Sequence, residues 1–216
     1  MLSAEAIVDL HDRQTRTWHH TQPDAQIETQ PDAGVTPINE SSAEWLNLVA
    51  RQHQANFRLW HIEDEARTPA ATDSELANVK RRVDRVNQQR NDLAEELDRS
   101  LLAWLEKQSL PNPESSLHSE SPGLIIDRLS ILALKIYHTR EETQRADAPV
   151  GHSVRNRERL RILEEQRSDL ARCLDELWKD TLIGTRRFKL YRQLKMYNDP
   201  LLNPAIYRKS IEVASE

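Results

Sequence analysis

Apolar residues recur at intervals of three and four along most of the chain, which is the spacing of one face of an α-helix. The clearest run follows Thr72 and consists of Val79, Val83, Val86, Leu93, Leu97 and Trp104. A later run consists of Leu160, Leu163, Leu170, Leu174 and Leu177. The pattern predicts five helices, at about 3–20, 41–67, 72–107, 123–144 and 153–182.

Local signals support the ends and the order of these helices. Ser41 with Glu44, and Thr72 with Glu75, match the Ser/Thr-x-x-Glu capping box that opens a helix. The helix predicted over 123–144 is apolar nearly all round at its start, so we expect it at the centre of the fold.

Two of the predicted hairpins repeat each other at an offset of 77 residues. Residues 89–98 align with 166–175, and seven of the ten positions are identical. The same offset, without a gap, places Trp60-His61 on Tyr137-His138. Because the offset holds across the loop that connects the helices, the sequence predicts a duplicated hairpin.

The expected fold is all-α: a helical bundle of two long hairpins related by an approximate two-fold axis. An N-terminal helix and a C-terminal basic arm would pack on the outside of this bundle. The hairpins cover about 46–107 and 123–184 within a core of 41–185. Residues 1–40 would supply the first helix and a polar linker in which Gln-Pro-Asp-Ala occurs twice, and residues 186–216 the arm.

Composition agrees with an all-α chain and excludes several classes of protein. Four glycines and 5% aromatic residues among 216 residues argue against a sandwich, a barrel or a nucleotide-binding sheet. The net charge of −5 gives no indication of a nucleic-acid partner. The chain starts without a signal-like segment and has no apolar run of about 18 residues, so we expect a cytoplasmic protein without a membrane span. The single cysteine, Cys173, lies in a leucine-rich pattern and is expected to be a packed thiol.

The repeat brings out one polar stripe on the first helix of each hairpin. At about 100° per residue, the four positions of each stripe fall within roughly 80° of one another. Asp64 and Glu141 flank the stripes, and Asp127 projects near His138. Two interpretations are open: a solvated face with His–Glu pairs, or a site for an anionic ligand or a metal ion. The stripes consist of Arg51, Arg58, His61 and Glu65 in one copy and Arg128, Lys135, His138 and Glu142 in the other.

Two arginines occupy matching positions in the apolar seams of the predicted helices 72–107 and 153–182, the second helix of each hairpin. Arg90 and Arg167 cannot stay unpaired there, because an isolated buried charge is costly. The nearest predicted carboxylates belong to the opposing stripes and to Asp127. The arginines therefore form structural clamps with these carboxylates, or a phosphate or carboxylate of a ligand completes the guanidinium fork.

The predicted C-terminal arm combines basic and aromatic residues. Phe188, Tyr191, Leu194 and Tyr197 stand at helical spacing ahead of Pro200, which would stop the helix. Packing against the acidic bundle and contact with a phosphorylated ligand, anionic lipid or nucleic acid are both open. The basic residues of the arm are Arg186, Arg187, Lys189, Arg192 and Lys195.

Over roughly residues 45–207 the chain resembles the bacterial family catalogued as domain of unknown function 4254. The resemblance rests on the strings at 60–67, 87–93, 122–138 and 191–200, which begin Trp-His-Ile-Glu-Asp-Glu, Asn-Gln-Gln-Arg-Asn-Asp, Pro-Gly-Leu-Ile-Ile-Asp-Arg and Tyr-Arg-Gln-Leu-Lys-Met. It implies no established activity. Members are often encoded near glycosyltransferases of envelope polysaccharide assembly, which implies an accessory role there.

Two functional hypotheses follow. The first is a non-catalytic binding or scaffold protein, accessory to sugar-nucleotide or envelope-glycan enzymes, whose partner is another protein or a phosphorylated small molecule; a homodimer is left open. The second is an all-helical, Mg²⁺-dependent phosphohydrolase acting on nucleotides or phosphate esters. Its metal ligands would be Asp64, Glu65, Asn91 and Asp92. No phosphate loop, catalytic triad or zinc-cysteine motif is present to decide between them.

Overall fold

The computed structural model describes residues 3–21, 42–194 and 201–202, and within them the chain is all-α, as predicted. Two-residue strands, β1 (Ser116–Leu117) and β2 (Arg186–Arg187), pair in parallel. None of the helices in these ranges is long and apolar enough to cross a bilayer. The helices lie within two residues of their predicted bounds and are α1 (Ala4–Thr21), α2 (Ser42–Glu65), α3 (Asp73–Glu106), α4 (Pro122–Gln144) and α5 (His152–Leu182).

Helix starts follow local chemistry. Thr72 and Glu75 form the predicted capping box, in which each side chain bonds the backbone N–H of the other. The other predicted box begins at Ser41, which lies outside the described residues. α4 starts differently, because the hydroxyl of Ser121 donates to Asp98 of α3 and does not cap its own helix.

The two hairpins, α2–α3 and α4–α5, share their layout. Shifting the first by 77 residues puts its helices at 119–142 and 150–183, within three residues of α4 and α5. Equivalent positions also meet: His53 is hydrogen-bonded to Ser130 at 2.7 Å, and the rings of His61 and His138 lie 6.1 Å apart. Because equivalent residues meet at two different heights, α2 and α4 lie side by side and run in the same direction. This is the arrangement expected for two hairpins related by a two-fold axis parallel to these helices.

α4 lies at the centre, as predicted, and contacts the other four helices. Ile126 and Leu129 on this helix have no exposed surface. At its start, Gly123 packs so close to α3 that a Cβ atom there would clash with the carbonyl oxygen of Ala94. A small residue is therefore what lets α3 and α4 approach each other.

α1 is part of the core, whereas the sequence predicted that it dresses the outside. Ala4 and Ile7 belong to the main hydrophobic cluster and are at most 1% exposed. α1 contacts α2, α4 and α5, while α5 does not contact α2 in the described part of the chain. α1 thus fills the position beside α2 that α5 would take if it matched α3. The prediction failed because the buried face of α1 includes two polar residues, His11 and Thr15.

Two predictions about the C-terminal region are wrong. The described residues of the arm, 186–194, form no helix: β2 pairs with β1, and the chain then continues without regular structure. Phe188 is buried in the main cluster, which holds this stretch on the bundle, while Tyr191 is exposed. Cys173 is exposed rather than packed, because α5 faces the bundle through its neighbour Leu174 and leaves Cys173 on the solvent side.

Candidate functional site

The first seam arginine is held in a buried polar network. Arg90 donates from Nε and Nη2 to the two carboxylate oxygens of Asp127, at 2.8 and 2.6 Å. The amide groups of Gln52 and Asn56 also donate to Asp127. The hydrogen bond to Asp127 raises the pKa of Arg90. This is the predicted clamp with Asp127, and it occupies most of the guanidinium fork.

The second seam arginine finds its partner on an unexpected helix. Arg167 donates to both carboxylate oxygens of Asp12 on α1, at 2.8 and 2.9 Å. In the repeat, the position equivalent to Asp127 is Ala50, so α2 has no carboxylate at the matching position. α1 therefore supplies the charge that the first hairpin lacks, and none of the carboxylates proposed from the sequence for Arg167 is its partner.

Most of the stripe residues pair with separate neighbours rather than with one another. Arg58 is half-buried and Lys135 exposed, and neither forms an ion pair within the described residues. The other stripe and flanking residues form the ion pairs Arg51–Glu96, Asp64–Arg67, Glu65–Arg82, Arg128–Glu120 and Glu142–Arg145, and the hydrogen-bonded contacts Glu142–His152 and Glu141–His138.

The oxygen ligands proposed for Mg²⁺ are not brought together. Asp64 pairs with Arg67, Glu65 pairs with Arg82, and Asp92 accepts a hydrogen bond from Gln88. Asn91 is half-buried on α3. Among the residues that the structure describes, the acids of this set do not belong to any cluster of three possible metal ligands.

The stripe histidines do come together, and a third histidine joins them. His61 of α2 and His138 of α4 lie beside His19, in the last turn of α1, with ring centroids 5.2 and 4.8 Å from that of His19. One ring nitrogen from each of the three lies within 4.8 Å of the others. All three side chains are half-buried.

Hydrogen bonds fix two of these rings. Nδ1 of His19 lies 2.7 Å from the carbonyl oxygen of Thr15, and Nδ1 of His138 lies 2.9 Å from a carboxylate oxygen of Glu141. A carbonyl or an ionised carboxylate can only accept, so Nδ1 carries the proton in both rings. The Nε2 atoms of His19 and His138 are buried and have no hydrogen-bond partner among the described residues.

Aromatic rings enclose the three histidines. Tyr137 stacks on His19 at a centroid distance of 4.2 Å, and Trp60 stacks on His138 at 4.9 Å. Burial lowers the pKa of His19 and of His61, and the neighbouring imidazoles lower both further. His19 and His61 are thus biased towards the neutral form, in which a nitrogen lone pair is free to bind.

His19 was not predicted as a site residue. It lies on the buried face of α1 that carries Ile7, His11 and Thr15 at intervals of four residues. A polar residue that continues such a face is a signal the sequence does contain. The spacing of apolar residues alone does not mark His19, and this is why the sequence did not predict it as a partner of His61 and His138.

A cleft of about 320 Å³, lined in part by Trp60, lies between α2, α3 and α4. Arg90 and Asn56 line it, together with Glu63, Asp64 and Arg67 near the end of α2. A larger recess of about 550 Å³ lies between α1 and α5 and includes Arg167, but no aromatic side chain lines it. The cleft combines an indole ring with charged and amide groups, which is the composition of a polar-ligand site.

Two of the basic residues of the arm, Arg186 and Arg187, contact the helical bundle or its loops through polar groups. Arg186 lies 3.5 Å from Asp180, and Arg187 donates to the carbonyl oxygen of Ser115. Lys189 and Arg192 are exposed, and Lys195 lies outside the described residues.

Comparisons with known proteins give a family. A family profile described as "Protein of unknown function (DUF4254)" matches residues 46–190, a span that contains His61 and His138 but not His19. The resembling string at 191–200 lies beyond that match. No curated protein and no solved structure shows a significant match to the chain. Because the profile covers more than half of the 216 residues, the chain belongs to the DUF4254 family.

Proposed function

We propose that the protein is a non-catalytic binding protein whose α2–α3–α4 cleft receives a sugar, free or linked to a phosphate or nucleotide. The observation that carries this proposal is the half-buried indole of Trp60 beside Asn56, Glu63, Asp64 and Arg67 in one cleft. Aromatic faces pack against the C–H faces of sugar rings, and carboxylates and amides exchange hydrogen bonds with hydroxyl groups.

Charge in the cleft suits a ligand with a small anionic part. Arg67 is exposed, and its ion-pair partners Glu63 and Asp64 are also well exposed, with atoms 3.8 and 3.5 Å away. Nη1 of Arg67 also donates to the carbonyl oxygen of Glu63 at 2.7 Å. The loose surface ion pairs contribute little, so a phosphate could displace them and bind the other guanidinium donors at small cost. Arg90 is different, because Asp127 already satisfies its fork.

The phosphohydrolase alternative receives no support from this geometry. That reaction needs carboxylates that converge on Mg²⁺ beside the phosphate. Asp64, Glu65 and Asp92 each have a separate partner in the described structure. We therefore keep the binding hypothesis as the proposal.

The setting of this function is also a proposal. A sugar-binding protein of a bacterial cytoplasm would serve enzymes that make sugar nucleotides or envelope glycans, by presenting the ligand or by docking to the enzyme. The family resemblance supports this role, and the exposed basic residues Lys189 and Arg192 offer charges for a protein partner.

Isothermal titration calorimetry with UDP-glucose, glucose 1-phosphate, glucose and inorganic phosphate tests the proposal. We expect saturable binding of a sugar-containing compound, weakened at least about tenfold by Trp60→Leu or Arg67→Ala through loss of stacking or of a charged hydrogen bond. Arg161→Ala is the matched control, because Arg161 is an exposed arginine whose partners lie on α5. Absence of binding across the panel, with the protein folded by circular dichroism, would overturn the proposal.

A further inference from the structure

Three histidines from three different helices meet at one end of the bundle, outside the cleft. We propose that His19, His61 and His138 form a binding site for Zn²⁺ or a chemically similar transition-metal ion, with a fourth coordination position left to water or to an exchangeable ligand. This inference does not rest on the sugar-binding proposal, since it uses other side chains and another class of ligand.

The distances are close to what a single ion needs. The three candidate nitrogens lie within 4.8 Å of one another. With zinc–nitrogen bonds of about 2.0–2.1 Å in a tetrahedron, bound nitrogens lie about 3.3 Å apart, so the side chains must close by at most about 1.5 Å. Small changes in side-chain torsions supply such a movement without any shift of the helices.

The hydrogen bonds leave one nitrogen lone pair available on each of two of the rings. His19 and His138 both carry their proton on Nδ1, where Thr15 and Glu141 accept it. Metal-bound histidines commonly donate their second nitrogen to a carbonyl or a carboxylate in this way, which fixes the ring and makes the free nitrogen a better ligand. The two Nε2 atoms are buried and have no partner in the described part of the chain, so an ion would satisfy groups that otherwise carry a desolvation cost.

Helix geometry favours a cation at this place. His19 lies in the last turn of α1, and His61 lies four residues before the end of α2 at Glu65. His138 lies six residues before the end of α4 at Gln144. Because the three helices run in parallel here, their carboxyl-terminal ends, which carry partial negative charge, lie on the same side of the three rings, and the end of α1 is the nearest.

The ligand set selects the class of metal. Three imidazoles suit Zn²⁺, Cu²⁺, Ni²⁺ and Co²⁺, whereas Mg²⁺ and Ca²⁺ prefer oxygen ligands. Three protein ligands with an open position distinguish this site from closed structural zinc sites, which have four. Trp60 and Tyr137 cover two of the rings and would shield the ion from water on those sides.

Titration of the untagged full chain, stripped with EDTA and desalted, tests the inference. Calorimetry with ZnCl₂ should give one ion per chain, and Co²⁺ should produce the intense visible bands of a tetrahedral nitrogen site. Alanine at His19, His61 or His138 should weaken Zn²⁺ binding by more than about 100-fold, since even loss of an outer-shell partner costs about 10–100-fold. Glu141→Gln should fall in that outer-shell range.

His20→Ala is the matched control, because His20 is the exposed neighbour of His19 on the same helix turn and should leave the affinity unchanged. Circular dichroism reports whether each variant folds, and X-ray absorption at the zinc edge of the wild-type complex counts imidazole ligands without any variant. No saturable one-to-one binding, an oxygen-rich six-coordinate shell, or equal loss of affinity in His20→Ala would overturn the inference.

Discussion

At the scale of single residues, the most consequential side chain outside the two sites is a buried aspartate. Asp98 of α3 is 2% exposed and accepts hydrogen bonds from the hydroxyl of Ser121 and the backbone N–H of Gly123, at the start of α4. It thereby does what a capping side chain of α4 would otherwise do. Burial nevertheless raises the pKa of Asp98 to about 6, because desolvation of the carboxylate outweighs these hydrogen bonds.

This pKa predicts a pH dependence of stability. Between the ordinary aspartate pKa of 3.8 and about 6, the folded chain holds a proton on Asp98 that the unfolded chain has lost. The unfolding free energy should therefore fall as the pH rises through this range, by up to roughly 3 kcal/mol from this group alone. Asp98→Asn, which can still accept from Gly123 and donate to Ser121, should remove the trend.

Urea denaturation of wild type and Asp98→Asn between pH 4 and pH 7 measures the difference. The unfolding free energy of Asp98→Asn should increase relative to that of wild type as the pH rises. Subtracting the two plots of unfolding free energy against pH cancels the titration of groups that the two proteins share. A difference that stays constant over this range, or that grows in favour of wild type, would contradict the assignment.

At the scale of helices, two ion pairs join elements that the hairpin loops do not connect. Arg90 and Asp127 tie α3 to α4, and Arg167 and Asp12 tie α5 to α1. Their carboxylates differ in burial: the side chain of Asp127 is 8% exposed and that of Asp12 is 27% exposed, whereas Arg90 and Arg167 are 24% and 17% exposed. We therefore expect the ion pairs of these two equivalent arginines to stabilise the fold to different extents.

Removing the two carboxylates one at a time should reveal this inequality. Asp127→Asn leaves a mostly buried guanidinium without its counter-charge and should lower the unfolding free energy by about 3 kcal/mol. Asp12→Asn should cost less, about 1 kcal/mol, because the carboxylate of Asp12 is more exposed to water than that of Asp127. Chemical denaturation measures both, and Asp9→Asn is the control, since Asp9 is exposed on α1. Equal losses for Asp12 and Asp127 would show that burial does not set the strength of these clamps.

The contact between α3 and α4 gives a second prediction at this scale. A Cβ atom on Gly123 would meet the carbonyl oxygen of Ala94 and lie 2.9 Å from the carboxyl carbon of Asp98. Gly123→Ala should therefore destabilise the protein by about 1–3 kcal/mol or more, as overpacking does. Without the close contact, replacing a helical glycine by alanine would stabilise the protein by up to about 1 kcal/mol. The sign of the change in unfolding free energy therefore shows whether the contact is present. A raised melting temperature for Gly123→Ala would exclude a tight α3–α4 crossing.

The helices could be predicted from the sequence because their signals are local. The capping box of Thr72 and the three-and-four spacing of apolar residues act within a few turns. The position of α1 and the path of the arm depend on distant contacts: Asp12 of α1 pairs with Arg167, and Phe188 is buried among residues of several helices. The approach of His61 and His138 is implied by the repeat, but that of His19 requires knowledge of how α1 packs.

At the scale of the whole molecule, the two hairpins are alike but their surroundings are not. α3 lies against both α2 and α4, while α5 reaches α4 and meets α1 in place of α2. α1 also brings the third histidine to the proposed metal site and the counter-charge to Arg167. The first helix, outside the matched family region, therefore contributes both packing contacts and a counter-charge to the second hairpin.

If α1 is an integral part of the core, its amides should be as protected as those of the central helix. Residues 7–15 of α1 should exchange hydrogen in native conditions only through global unfolding, with the same free energy as residues 125–136 of α4, because Ile7 shares one cluster with Ile126 and Leu129. Residues 77–82 near the start of α3 are mostly exposed and provide the internal control, exchanging through local opening at lower free energy. Hydrogen–deuterium exchange with mass spectrometry reports all three segments in one experiment. Exchange of α1 at the level of the α3 control, while α4 stays protected, would mean that α1 detaches on its own and that the core closes without it.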